Sequence, residues 1–262
     1  MVIEGGWQEF APAFAEAVRP DDTRGRPVKR LLVIGLAAML AAALNAVVYG
    51  AVTASRGGAA HAKAATMTVS PSATAGPAGS TWTAVAGPTC SNSATRFVKD
   101  GYYVRTSNGQ STGWITSSSG GYSGGGCTGG FVSVPLSGHA QAYDTNQFAL
   151  WTFHLGAGFT HATCTLSTFV PYNPQIAYVG GDPAYFFYYG TNYSPGSTAQ
   201  PLGGYLVHQP ATRGDWVTSG SFAIKTGWVA VKMVDAGVTG TRATSNAHAA
   251  AAQLRLACHA AS

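Results

Sequence analysis

The stretch Cys164-Thr165-Leu166-Ser167-Thr168-Phe169-Val170 sets Cys164, Leu166, Thr168 and Val170 on one side of an extended backbone and Thr165, Ser167 and Phe169 on the other. Successive side chains of a strand point to opposite faces, so this two-residue period marks a β-strand with one face turned inward. Runs of the same kind recur around it, at 102–106, 131–134, 148–155, 184–189, 204–208, 216–224 and 228–234. Each is rich in β-branched and aromatic residues, which suit a pleated, half-buried surface, and turn residues bound them. Asn108-Gly109 and Gly180-Gly181-Asp182-Pro183 are the clearest turn signals. No long helical periodicity interrupts the series. The expected fold of 81–262 is therefore all-β: an antiparallel, jelly-roll-like β-sandwich. The alanine-rich tail 245–256 is ambiguous, since propensity favours helix whereas an anchoring Cys258 favours a closing strand over 252–257.

Upstream the chain changes character. Residues 31–54 form an uncharged, mostly apolar run with Asn45 as its one strongly polar side chain mid-span. A helix of about 20 residues crosses the hydrocarbon layer, so the run is long enough to be a single transmembrane helix. Arg19, Arg24, Arg26, Lys29 and Arg30 precede it, against Arg56 and Lys63 soon after. The basic flank stays inside, which predicts a single-pass cell-membrane protein with a cytoplasmic N-terminal tail (1–30) and an extracellular C-terminal domain. Ala60-His61-Ala62 keeps a cleavable leader as the competing reading, and both readings export the same domain. Between membrane and domain, 55–80 is nearly all Ala, Gly, Ser, Thr and Pro, a linker composition with too little apolar bulk to offset ordering entropy.

Cys90, Cys127, Cys164 and Cys258 all fall in the exported domain. An even count there reads as two disulfides, and the absence of any CxxC pair argues against zinc. Of the three pairings, Cys90 with Cys127 and Cys164 with Cys258 is favoured, the second tying an early core strand to the C-terminal one. About 180 residues can bury a core without help, so the bonds reinforce a fold that does not depend on them alone.

The net charge is +5. In the outer domain the cations are scattered and form no basic stripe interleaved with aromatics, so nucleic acid is not an expected partner. A surface of Ser, Thr, Asn, Gln, Gly and Tyr suits neutral partners such as glycans. Past Ser80 there is no glutamate, and Asp182 and Asp215 read as turn residues, so a pair of catalytic carboxylates is not expected. Gly121-Tyr122-Ser123-Gly124-Gly125 matches G-x-S-x-G in letters alone, because no helix signal follows it. A triad assembled from His154, His161 or His208 with Asp182 or Asp215 would need a cleft to gather it. Nothing near Asp100 or Asp235 resembles a calcium loop, and no metal or cofactor is expected.

Val170-Pro171, Ala184-Tyr185, Val207-His208-Gln209, Trp216-Val217 followed by Gly220, and then Phe222 and Gly227 together resemble the golvesin C-terminal-like domain. That family is related in pattern to the carbohydrate-binding module attached to xanthan lyase. The resemblance covers about 151–258, and it implies a β-sandwich carried as an appendage of surface or secreted proteins. The shared residues themselves read as structural, with Trp151 and Trp216 expected in the core.

A glycan site needs aromatic faces for sugar C–H surfaces and nearby amides or hydroxyls for sugar hydroxyls. Two loops offer both, one with Trp114 and Tyr122, the other with Asn192 and Tyr193. The expected function is thus a membrane-anchored binding domain for cell-wall or extracellular polysaccharide. The alternative partner is a cell-surface protein docked by a structural ectodomain, with a secreted hydrolase as the third reading.

Overall fold

The computed structural model describes residues 79–238 and 246–261, together with the backbone of Arg19–Pro20, which pairs in parallel with Ala142–Tyr143. The expected cytoplasmic tail (but for Arg19–Pro20), the membrane span 31–54 and nearly all of the linker lie outside the described residues. Among the described residues no helix is long and apolar enough to cross a membrane.

The fold is all-β. Strands β1 (Thr81–Ala86), β2 (Thr95–Asp100), β3 (Ile115–Ser117), β4 (Phe131–Pro135), β5 (Phe148–His154) and β6 (Ala162–Phe169) come first. They are followed by β7 (Ala184–Tyr189), β8 (Gly203–Val207), β9 (Trp216–Ile224), β10 (Trp228–Val234), β11 (His248–Ala251) and β12 (Leu254–Ala260). A five-stranded antiparallel sheet has the order β8-β7-β10-β5-β2, and a four-stranded one the order β9-β6-β12-β1. A third sheet, β11-β4-β3, is antiparallel as well.

The first two sheets share one apolar core, which makes the arrangement sandwich-like. Trp151 and Phe153 of β5, Phe186 of β7 and Met233 of β10 belong to the same buried cluster as Leu166 of β6 and Leu256 of β12. Each such side chain contributes about 1.5–3 kcal/mol by leaving water. Trp151, at the centre, also places its indole N–H 2.9 Å from the Ala252 carbonyl, so no donor is stranded. On β6 the alternation seen in the sequence holds: Cys164, Leu166, Thr168 and Val170 are buried in the sandwich, and Phe169 faces outward.

Both disulfides pair as expected, Cys90–Cys127 and Cys164–Cys258. The second joins residues directly opposite each other on β6 and β12, 94 residues apart in the chain. Closing so long a loop restricts the unfolded chain, a contribution of about 3–5 kcal/mol in the chain-entropy account.

The alanine-rich tail resolves as two strands. Ala249, Ala250, Ala251 and Ala252 are buried, and Gly181 packs so closely against Ala249 that a side chain on either would have to be small. Tertiary contact overrides helix propensity at this point. Gln209 completes the joint: its Oε1 accepts from the Ala250 N–H (2.8 Å) and its Nε2 donates to the Ala250 carbonyl (2.8 Å).

Three expectations are corrected. Residues 102–105 are not a strand, and Tyr102, Tyr103 and Val104 are exposed. Trp114 is core, only 2% exposed. Trp216 is not core: two steps on β6, Thr165 to Ser167, face three on β9, Ser221 to Thr218, and that bulge inverts the alternation of β9. Phe222 and Ile224, which follow it in the chain, point inward, whereas Trp216, which precedes it, emerges on the outer face beside Phe169 (5.3 Å between rings), Tyr122 (5.0 Å) and the Arg255 guanidinium (4.6 Å).

Candidate functional site

The run Ala184-Tyr185-Phe186-Phe187-Tyr188-Tyr189 is buried along its whole length. A strand that is apolar on both faces needs cover on both. Phe186 and Tyr188 enter the sandwich core, and Tyr185, Phe187 and Tyr189 form a second cluster on the outer face with Phe148, Leu150, Ala230 and Val234. The cover is supplied by two loops, one bringing Tyr143 and the other Tyr193 and Ala199.

These loops leave two clefts on the outer face. The larger, about 560 Å³, lies between the sheet residues Asp100, Phe148, Phe187, Tyr189 and Lys232 and the loop residues Tyr143, Asn146, Tyr193 and Gln200. We call it the tyrosine cleft. The smaller, about 350 Å³, is lined by Arg96, Thr152, His154, Asn192, Tyr193 and Trp228 among others, and is called the tryptophan cleft. Strand β5 runs beneath both and Tyr193 lines both. Each is within the size range of small-ligand sites.

Lys232 stands out. It is 6% exposed, and its ammonium rests over the ring of Phe148 at 4.1 Å and that of Tyr143 at 5.4 Å. Among the described residues it has no hydrogen-bond or ion-pair partner. Burial pulls its pKa down to about 8, while Asp100 and Asp235 act in the opposite direction. Asp235, itself buried, organises the adjoining loop: Oδ1 accepts from the Asp144 N–H at 2.8 Å and Oδ2 from Gln147 Nε2 at 2.7 Å. Burial pushes the hydroxyls of Tyr143, Tyr189 and Tyr193 upward, so they stay protonated and can donate as well as accept. The rings of Tyr189 and Tyr193 lie 4.3 Å apart.

In the tryptophan cleft, His154 and Trp228 are directly opposite in the β5–β10 register and stack at 4.1 Å and 14°. Arg96 stands on the edge strand β2, across from Thr152. The floor is apolar, with Leu150 and Val98, and the rim carries hydroxyls and the Asn192 amide.

Of the residues singled out in the sequence, Asn192 and Tyr193 line these clefts. Trp114 and Tyr122 do not. Trp114 packs against Tyr102 (5.9 Å), its backbone is held by the Tyr103 carbonyl (2.9 Å), and the adjoining Gly113 carbonyl lies 2.8 Å from His248 Nε2. Tyr122 is half-buried between Phe169 and Trp216, outside the four-stranded sheet. Lys232, Tyr143, Tyr189, Arg96 and Trp228 were not anticipated. One signal was present for Lys232, a lone cation inside the apolar run 228–234, and one for the cleft as a whole, the doubly aromatic run 184–189.

The triad geometry is not assembled. Ser123 lies in a hairpin, Ser123–Gly124 against Cys127–Thr128, with no helix behind it. His208 Nδ1 meets Asp182 Oδ1 at 2.6 Å, but the two side chains are 61% and 59% exposed and line neither cleft. Among the described residues neither His154 nor His208 is hydrogen-bonded to a serine, and no cluster of His, Cys, Asp or Glu has the makings of a metal site.

The described residues thus form a two-disulfide, antiparallel, sandwich-like all-β unit with a loop-roofed, aromatic, polar-rimmed outer face. No protein-family model matches it, and no curated protein or solved structure is significantly similar to it.

Proposed function

We propose that this chain is a membrane-anchored, extracellular binding protein that grips cell-wall or extracellular polysaccharide in the clefts over its five-stranded sheet, without catalysing a reaction. The observation that carries the reading is the make-up of the tyrosine cleft: Phe187, Tyr189 and Tyr193 beside the ammonium of Lys232, the carboxylate of Asp100 and the amides of Asn146 and Gln200. Apolar ring faces match the C–H surfaces of a pyranose, and fixed donors and acceptors match its hydroxyls. A lysine and an aspartate in one cleft offset each other's charge and leave hydrogen-bonding capacity, which suits a neutral polyhydroxylated group. The resemblance to golvesin-like domains, the jelly-roll-like reading of the fold and the anchor expected at 31–54 support the same assignment.

The test is retention of the full chain in detergent micelles on insoluble and immobilised polysaccharides. Retention by at least one, weakened about tenfold or more by Gln200→Ala, an exposed cleft residue, at unchanged melting temperature, supports it. A folded protein retained by none of them removes it. A protein-docking role is the second reading, favoured by Tyr102, Tyr103 and Val104, which are 43%, 39% and 71% exposed in succession. Recovery of one cell-surface protein through a crosslinker placed at Val104, with no polysaccharide retained, would establish that role instead.

A further inference from the structure

We infer that the tryptophan cleft is a subsite for a carboxylate-bearing sugar, so that the polymer bound by this face is an acidic polysaccharide with Arg96 as the counter-ion of its acid group; this rests on the polysaccharide reading above. In the tyrosine cleft the cation Lys232 is accompanied by Asp100, whereas the tryptophan cleft contains Arg96 and, among its described lining residues, no carboxylate at all. The Arg96 guanidinium has no hydrogen-bond or ion-pair partner among the described residues, so its donors are available. A guanidinium binds a carboxylate through two parallel N–H···O bonds, a geometry that a neutral hydroxyl does not reproduce.

The surroundings specify a ring next to that acid. Trp228, held in orientation by its stack with His154, supplies an aromatic surface, and Thr152 and Asn192 supply polar groups on the same cleft. The volume, about 350 Å³, suits one small cyclic unit. Position links the two clefts. Lys232 is in register with Leu150, and Arg96 with Thr152, with β5 lying between their strands. Strand spacing and rise then put their Cα atoms about 12 Å apart. An extended sugar chain laid over Tyr193 meets Lys232 and Asp100, whose charges offset, with hydroxyls and Arg96 with a carboxylate.

The experiment uses the full chain in detergent micelles and three carboxylated polymers, polygalacturonate, alginate and hyaluronan, each compared with its methyl-esterified form. The ester keeps every ring and removes only the charge. Poly(glycerol phosphate), which is charged but has no pyranose, and neutral glucans complete the panel. The expected result is that at least one acidic polymer binds tenfold or more tighter than its ester at low salt. Arg96→Gln abolishes that preference without shifting the melting temperature, and Arg96→Lys retains part of it. Trp228→Ala weakens acid and ester alike. The inference is overturned if esters bind as well as acids, if Arg96→Gln leaves the preference intact, or if poly(glycerol phosphate) binds as tightly as the carboxylated polymers. Binding of neutral glucans alone overturns the acidic subsite and leaves the polysaccharide reading standing. Binding of no polysaccharide overturns both.

Discussion

The two outer faces of the sandwich are built differently. On the four-stranded sheet the aromatics gather at one end, where Trp216, Phe169 and Tyr122 meet; elsewhere Thr163, Thr165, Ser167, Thr218, Ser221 and Ala223 present short side chains, and hydroxyl pairs such as Thr165–Ser221 (3.2 Å) and Ser167–Thr218 (3.1 Å) satisfy one another across β6 and β9. Over the five-stranded sheet, large aromatics on β5 and β7 are covered by loops and surround a buried lysine. The first face is finished as a surface. The second has been made into a further layer, and a polar cation has been enclosed in it at a cost to stability, which is the pattern expected where recognition rather than folding selects the residue.

Breaking this asymmetry gives predictions of decreasing size. Phe187, 5% exposed although it lies outside the sandwich core, should lose about 3–5 kcal/mol on replacement by Ala, as a core phenylalanine would, in equilibrium unfolding. Gly101 has φ +65°, and a Cβ there would collide with the Asn146 carbonyl oxygen. Gly101→Ala should therefore cost about 1–3 kcal/mol and weaken polysaccharide retention by displacing the loop that lines the tyrosine cleft.

Lys232→Met should have the opposite sign, stabilising the fold by about 1–2 kcal/mol at neutral pH while weakening binding. Because burial lowers the lysine from 10.5 to about 8 in the folded chain, the unfolded state holds the extra proton between those values. The wild type should thus gain stability relative to Lys232→Met as pH rises from about 8 to 10.5, which denaturant titrations at several pH values would measure. The smallest effect belongs to the other face: Thr165→Ala and Ser221→Ala should change stability by no more than about 0.5 kcal/mol and retention not at all.

Much of this contrast was legible in the chain before the structure. Strands β7, β9 and β10 begin and end where the sequence pattern puts them, because alternation and turn residues act locally, and both disulfides match the even cysteine count and the favoured pairing. Asn192 and Tyr193 line the clefts, and an aromatic beside an amide in a polar loop is a local signal in the chain. Trp216 was misplaced because a single bulged residue opposite Leu166 reverses the facing of the rest of β9, and periodicity read along one strand is blind to its partner's register. Trp114 looked like a loop aromatic, yet the third sheet and His248 close over it, a long-range contact with no trace in its neighbours. Arg96 and Trp228 share a cleft only because β2 and β10 both flank β5.

Hydrogen–deuterium exchange of the full chain with and without the retained polysaccharide reports which outer face the ligand covers. Protection is predicted in residues 143–147 and 191–202, with residues 163–167 and 218–221 exchanging as in the free protein. Protection confined to the four-stranded face, or none on either face with the polymer demonstrably bound, would contradict the account.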